Sequence, residues 1–399
     1  MSSTVMLDCL VIGGGISGLG LAHWCARRGL RTQVLEKSPQ VGGCLASHAF
    51  QGAEDFWVEM GAHTCYNSYG HLLDIGNDLG LRGSLAPKAK LRFQMLVGNR
   101  LQSIVSRLFL WQLVRSLPRL FTAKKTNQYV AGYYSKVLGI HNYQRVFGPA
   151  FDAVICQPAD LFPADLLFRR KRRRKGFPRS FTLPQGLGTI PAAMAAQPGL
   201  EVVTGQGAAR VAKTGDGYQV TQDDGQVLRC RHLAVAVAPD QASSLLADCH
   251  PELTETLARI RMAKIESVGV MVAKEATSLP PLAGIIASRH IFYSAVSRDY
   301  LAHPSYRGFT FHFRPDRSEE WEQRGWIQQA LKVPESALIG VERRLNRLPA
   351  LRVGHHALVQ DLDAKLAGLP LALLGNYFLG VSIEDCLTRS ASEFRRLWG

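Results

Sequence analysis

The chain opens with a stretch that leaves few choices of fold: residues 5–43 read VMLDCLVIGGGISGLGLAHWCARRGLRTQVLEKSPQVGG. The unbroken apolar run at 5–12 predicts a buried parallel strand, and Gly13, Gly15 and Gly18 follow it in G-x-G-x-x-G register. In that register the first glycine allows a tight turn, the second lets backbone approach a pyrophosphate, and the third lets the helix pack on the strand. The helix start at Ile16 and Ser17 then offers free N–H groups and a partial positive charge to the pyrophosphate. A second strand at 32–35 delivers Glu36, followed by Lys37, about 20 residues beyond the glycines, where a carboxylate accepts hydrogen bonds from both ribose hydroxyls. An acid there repels a 2′-phosphate, so the segment predicts a dinucleotide site that disfavours NADP.

Val41-Gly42-Gly43 comes next, then Trp57-Val58-Glu59-Met60-Gly61-Ala62-His63. Together with the glycine turn these segments resemble the extended N-terminal signature of FAD enzymes in the amine oxidase, phytoene desaturase and protoporphyrinogen oxidase superfamily. Residues 199–246 resemble that superfamily's second FAD segment, a three-stranded excursion that includes Ala208 and ends in an apolar strand and Ala-Pro. Residues 371–388, LALLGNYFLGVSIEDCLT, are similar to its last one, with Gly375-Asn376 and then Gly380-Val381-Ser382 opening a helix. The resemblance implies FAD as cofactor, with Gly42, Gly43 and Cys44 over its diphosphate side, Gly61 and Ala62 near the flavin, and the last helix start facing the flavin pyrimidine. It implies an α/β fold: a Rossmann-type, glutathione reductase-like FAD-binding domain with an inserted mixed-sheet substrate domain and a helical insertion.

Along the chain, FAD-lobe sequence is expected at 1–90, 180–260 and 350–399. Residues 91–179 pattern as a helical insertion, and 261–349 alternate as strands at 266–273, 284–288, 290–297 and 309–314, then a helix at 318–331 capped by Ser318. No second G-x-G-x-x-G is present, so no NAD(P)H site is expected and electrons should leave to oxygen or a quinone-like acceptor.

With 399 residues, 46% hydrophobic and 20% charged, the chain can bury two or three lobes. Its eight cysteines contain no C-x-x-C, which points to neither a metal site nor a disulfide framework. Four residues before the first strand leave no room for a signal or transit peptide, so a cytoplasmic location is expected. The net charge of +15 is concentrated at 169–175, RRKRRRK, which is either a solvated loop or a contact for an anionic membrane or an acidic substrate. Nucleic acid is disfavoured because no aromatic residues interleave the run. Residues 100–121, RLQSIVSRLFLWQLVRSLPRLF, place Phe109, Leu110, Leu113, Val114, Leu117, Leu120 and Phe121 on one helical face and four arginines on another. Such a helix is either part of the substrate-lobe core or an interfacial anchor, and the second reading predicts peripheral association with the inner membrane.

Within the superfamily the chain looks most like protoporphyrinogen oxidases. The stretch 181–191 is similar to their F-x-x-x-G-G-L-x-x-L-P segment, and 343–355 to R-W-x-x-A-L-P-x-Y-x-V-G-H, although the tryptophan is absent and Cys44 stands where an arginine is expected. Ile265-Glu266-Ser267-Val268 falls where amine oxidases place a lysine near flavin N5, and that lysine is missing. The resemblance implies Arg92 as the anchor for a substrate propionate, and a dry slot in which hydride passes from a substrate carbon to the flavin. His63 and His312 are the candidates to handle protons, and Tyr293 and Phe311 to line a pocket for an apolar substrate. A porphyrinogen is the leading substrate expectation. A polyisoprenoid desaturase or dehydroxylase, a flavin-dependent mutase, and a nonenzymatic basic binding protein are the alternatives. The oligomeric state is left open.

Overall fold

A computed structural model describes residues 6–287 and 292–399. Val5, Ser288 and His290, which the sequence places within strands, lie outside the described residues.

The first sheet runs in the order Leu200–Thr204, Thr32–Glu36, Leu7–Ile12, Val227–Val235, Gly217–Gln222, Ala208–Thr214, with Leu371–Leu373 branching from Val227–Val235. The glycine-turn strand is central because it is apolar on both faces, as a parallel strand between helix layers must be. On one side Val11, Val34 and Ala234 pack against the helices Ile16–Arg27 and Ile383–Trp398. On the other, Leu10, Ile12 and Val235 meet Leu246, Leu257 and Leu362 of three further helices. Strand Val227–Val235 serves two partners in succession. Its first half pairs antiparallel with Gly217–Gln222 (Tyr218 opposite Cys230), and its second half pairs parallel with Leu371–Leu373 (Leu233 opposite Leu371). That switch brings the second and third FAD segments beside the first.

The second sheet is mixed, in the order Leu338–Pro349, Met262–Ala273, Tyr306–Phe313, Phe292–Ser297, Gly284–Ala287, Phe93–Val97, Arg100–Ser103; only the Gly284–Ala287/Phe93–Val97 pair is parallel. Strand alternation sorts its residues onto two faces. Val268, Val270, Phe309, Phe311 and Phe313 form a core with Ile327 and Leu331 of helix Glu320–Leu331. Ser267, Ser294 and His312 point to the opposite face, toward the FAD lobe, where Val58 of the hairpin Ser47–Phe50/Ala53–Glu59 and Met60 just after it lie against Gly269 and Gly308. Phe311 is therefore a core residue on the far face and does not line a substrate slot, because its strand neighbour His312 takes the inward position.

Other expectations are corrected by pairing. Residues 100–121 do not form one helix: Arg100–Ser103 is an edge strand paired with Phe93–Val97, and helix begins only at Leu110–Ser116, resuming after Pro118 as Arg119–Thr122. Hairpin hydrogen bonds outweigh helical periodicity where a partner strand lies across a two-residue turn. Leu338–Pro349, rich in arginine, is a 12-residue strand along Met262–Ala273. Glu319, not Ser318, caps helix Glu320–Leu331, in a reciprocal capping box with Glu322. The remaining insertion packs Val130, Tyr134 and Val137 of helix Val130–Leu138 against Phe151 of helix Gly148–Ile155.

Candidate active site

The glycine turn is built for close approach. Gly13 has φ +108°, donates its N–H to the Leu35 carbonyl at 2.8 Å, and would place a Cβ 2.6 Å from the Ala236 oxygen. A Cβ on Gly18 would fall on the Gly13 carbonyl, so helix Ile16–Arg27 can lie this near its strand only with glycine there. Glu36 locks the turn: Oε2 accepts from Gly14 N–H at 2.7 Å and Oε1 from Ser38 N–H at 2.8 Å, leaving each oxygen a lone pair for a ribose hydroxyl. Lys37 turns away to an exposed pair with Asp223 at 3.6 Å, and Ala208 begins the meander strand just beyond Gly207.

The Gly-Gly loop docks directly on this turn. Gly15 and Gly42 pair as a parallel bridge, and Gly42 N–H donates to the Gly14 carbonyl at 2.8 Å. The Cys44 carbonyl accepts from Ala62 N–H at 2.8 Å and presses on Gly61, which draws the histidine-bearing turn onto the same line. Arg344 donates to the Gly43 carbonyl at 2.7 Å. Buried Ile16 and Ser17 open the first helix, and the Ser17 carbonyl accepts from Ser390 Oγ of the last one at 2.7 Å. That last helix starts at the third segment: Asn376 and Val381 are half-buried, and Ser382 caps Ile383–Trp398 reciprocally with Asp385. Glu36, the glycine turn, the Gly-Gly loop with Gly61 docked on it, and the last helix joined to the first through Ser390 and Ser17 thus form a cradle whose close backbone approaches admit no Cβ. The cradle fits an elongated dinucleotide such as FAD.

Where the cradle meets the second sheet stand His63 and His312. Burial, with Lys88 and His312 as positive neighbours, pulls His63 down to about 3; burial alone pulls His312 down to about 4. Both imidazoles are therefore neutral at pH 7. Ser267 Oγ accepts from Asn346 Nδ2 at 2.9 Å and lies 3.1 Å from His312 Nδ1, while Asn346 also donates to the Met60 carbonyl at 2.8 Å. Ser267 thereby links His312 Nδ1 to Asn346 and holds the imidazole in place. Ser267 thus occupies the inward position of the strand segment where a lysine was sought.

Sequence reading missed a polar cluster behind His63. Lys88 Nζ donates to the His63 carbonyl at 2.8 Å and to Thr64 Oγ1 at 2.7 Å, and lies 3.4 Å from the Tyr300 ring centre. Glu59 accepts from Leu187 N–H and Ser47 Oγ, each at 2.7 Å. Burial pushes Glu59 up to about 7 and Lys88 down to about 7. Glu59 stood inside a recognisable segment; Lys88, a lone lysine in a loop, carried no signal.

A cavity of about 380 Å³ lies between the insertion and the second sheet, lined by Tyr143, Asp152, Asp160, Tyr293 and Arg314 among others. Tyr293 is brought there, with the Arg314 guanidinium 4.6 Å above its ring. The nearest carboxylate to Arg314 is Asp152, at 3.9 Å, and Arg314 Nε has no hydrogen-bond partner among the described residues. Arg92 is exposed at the start of strand Phe93–Val97, outside this cavity. Among the described residues no cluster of His, Cys, Asp or Glu could hold a metal ion, and the eight cysteines are free.

This fold and cradle define an FAD-dependent oxidoreductase of α/β architecture. The family model of flavin-containing amine oxidoreductases matches residues 16–276, and the chain belongs to that family. A provisionally assigned protoporphyrinogen oxidase from Exiguobacterium sp. 255-15 superimposes with TM-score 0.77 at 17% identity, over 99% of this chain and 98% of that one. The fatty acid isomerase from P. acnes that produces CLA gives 0.77 at 14% identity, over 98% and 99%. In sequence, the 15-cis-phytoene desaturase of Narcissus pseudonarcissus is 29% identical over 79 residues, 20% of this chain and 14% of the relative. The stretches shared with such curated relatives cover 12–17% of their length.

Proposed function

We propose that the enzyme oxidises a carbon centre of a largely apolar, carboxylate-bearing substrate such as a porphyrinogen and passes the electrons to oxygen or a quinone-like acceptor. FAD, held by the cradle, supplies the hydride acceptor. The observation that carries the substrate class is Arg314 over Tyr293. It is the one guanidinium lining the cavity among the described residues, loosely paired, and it directly follows the strand Tyr306–Phe313 that carries His312. Arg314 stands two residues from His312 in the chain, and in the proposed pose a carboxylate on Arg314 has its apolar body directed toward His312. The exposed Arg92 is less suited to that task. The neutral imidazoles of His63 and His312 can orient the substrate and carry a proton without placing a cation against the reacting carbon. The overlap with a fatty acid isomerase supports an apolar carboxylate; the phytoene desaturase similarity favours a polyisoprenoid as second reading.

The test is anaerobic mixing of the yellow protein with protoporphyrinogen, its dimethyl ester and a polyprenoid while the flavin band is followed. Bleaching by the free acid, weakened about tenfold or more in half-saturation by Arg314→Met but unchanged by that variant for the ester, supports the reading. Bleaching by the polyprenoid alone refutes it.

A further inference from the structure

From residue 79 to residue 151 the chain contains no aspartate or glutamate and twelve lysines and arginines. Among the described residues, eleven of the twenty exposed large apolar side chains fall within the same stretch, and the arrangement around helix Leu110–Ser116 is fixed by hydrogen bonds. Asn142, fully buried, accepts from Phe109 N–H at 2.8 Å and donates to its carbonyl at 3.1 Å, while Gln112 accepts from Asn142 N–H at 3.1 Å. These bonds hold helix Leu110–Ser116 by its polar side, with Ser116 buried beneath. Leu110, Val114, Leu117 and Phe121, which share one face by spacing, are therefore turned outward with Trp111 at their flank; Trp111 is 75% and Phe121 92% exposed. The core-helix alternative for this stretch is thereby excluded. Arg115, Arg119 and Lys124 border the patch and are exposed.

We infer that this face seats the protein on an anionic phospholipid bilayer, with Leu110, Trp111, Val114, Leu117 and Phe121 entering the acyl boundary and the bordering cations meeting the headgroups. A contiguous apolar face of this kind on a soluble surface marks an interaction site, and the combination with uncompensated positive charge is complementary to anionic lipid. A second copy of the chain is a poor occupant. A two-fold contact would set this acid-free basic rim against itself, and like charges would oppose the apolar gain. Among the described residues no helix is long and apolar enough to cross a membrane, so the helix lies along the surface. The inference does not use the run at 169–175, of which Arg169, Lys171 and Arg174 are engaged with Leu379, Asp385 and Asp74 of the FAD lobe. The inference stands apart from the substrate reading, since it uses neither the cavity nor the histidines.

The experiment is co-sedimentation of the FAD-loaded full chain with phosphatidylcholine vesicles and with 70:30 phosphatidylcholine:phosphatidylglycerol vesicles, in 0.1 M and 0.5 M NaCl. The expected result is a partition coefficient at least tenfold higher on the anionic vesicles, falling severalfold at the higher salt. Leu110→Glu/Phe121→Glu should reduce it a further tenfold or more while leaving the flavin spectrum and thermal midpoint unchanged, because both side chains are already in water. No binding to anionic vesicles at 0.1 M NaCl overturns the inference. So does equal binding to both vesicle types, or a double variant that binds like the parent. A dimer in solution that the double variant converts to monomer overturns it in favour of a second copy.

Discussion

Glu36 is the residue at which the cradle can be tested most directly. Its two carboxylate oxygens hold Gly14 N–H and Ser38 N–H at 2.7 and 2.8 Å, and the lone pairs that remain would accept from the adenosine ribose of bound FAD. Glu36→Gln keeps the shape but replaces one acceptor with an NH₂ group that confronts an N–H donor. One of the two backbone donors then loses its partner, at roughly 1–3 kcal/mol of folding stability. The ribose loses charge-assisted hydrogen bonds worth about 1.5–3 kcal/mol, which is roughly a 10–150-fold weaker FAD complex. Quenching of flavin fluorescence during titration of the apoprotein measures this loss. FMN, which has no adenosine, provides the control: its affinity should not change. A Gln variant that binds FAD within twofold of the parent would refute the assignment of Glu36 to the ribose. Equal loss of FMN and FAD would instead mean that the substitution acts on the turn as a whole.

Two further outcomes follow from buried charge. His63 and His312 stay neutral when folded, down to about 3 and about 4, whereas in the unfolded chain a histidine takes a proton near 6.5. Their contribution is fully present above that value and is lost as pH falls, because the unfolded state binds protons that the folded state refuses. Urea unfolding should therefore weaken by up to about 1.4 kcal/mol per pH unit per histidine between pH 6.5 and 4, and His63→Gln/His312→Gln should flatten that slope. Arg307 pairs with Asp299 at 2.5 Å, both less than 10% exposed, and also donates to the Leu279 and Pro280 carbonyls. Arg307→Met leaves the Asp299 carboxylate buried and should cost about 3–5 kcal/mol in urea unfolding; adding Asp299→Leu should restore much of it, and no restoration would mean that the carbonyl contacts dominate.

The FAD lobe was legible because its requirements are local and stereochemical. Gly13, Gly18 and Glu36 each have to be what they are for a strand, turn and helix to meet a pyrophosphate, and each stands where spacing put it. The second sheet was legible in its strands but not in its faces. Alternation at 309–313 makes every second residue equivalent, and only the packing of Val268 and Ile327 reveals that the phenylalanines look away from the cofactor while His312 looks toward it. Long-range pairing hid the rest. Strand Leu338–Pro349 carries Arg343, Arg344 and Arg347 and is assigned no element from sequence; it becomes a strand because Met262–Ala273 lies beside it and Glu266, Gly43 and Asp240 take up the three guanidinium groups.

The run at 169–175 shows why charge density by itself could not be assigned. Seven consecutive cations look alike in sequence, yet they divide by what each can reach. Arg169 donates to the Leu379 carbonyl at 2.9 Å, Lys171 meets Asp385 at 2.7 Å and Ser382 Oγ at 2.8 Å, and Arg174 forks onto Asp74. Arg170, Arg172, Arg173 and Lys175 remain exposed. The insertion is thus tied at its C-terminal end to the cap of helix Ile383–Trp398, whose start closes the FAD cradle, while its N-terminal half carries the outward apolar face. Lys171 at that cap neutralises Asp385, so the carboxylate of the capping box does not cancel the partial positive charge of the helix terminus, at the end of the cradle where the resemblance sets the flavin pyrimidine. The same basic segment that reads as a surface feature in the sequence is, in the folded chain, the clasp between the insertion and the redox site.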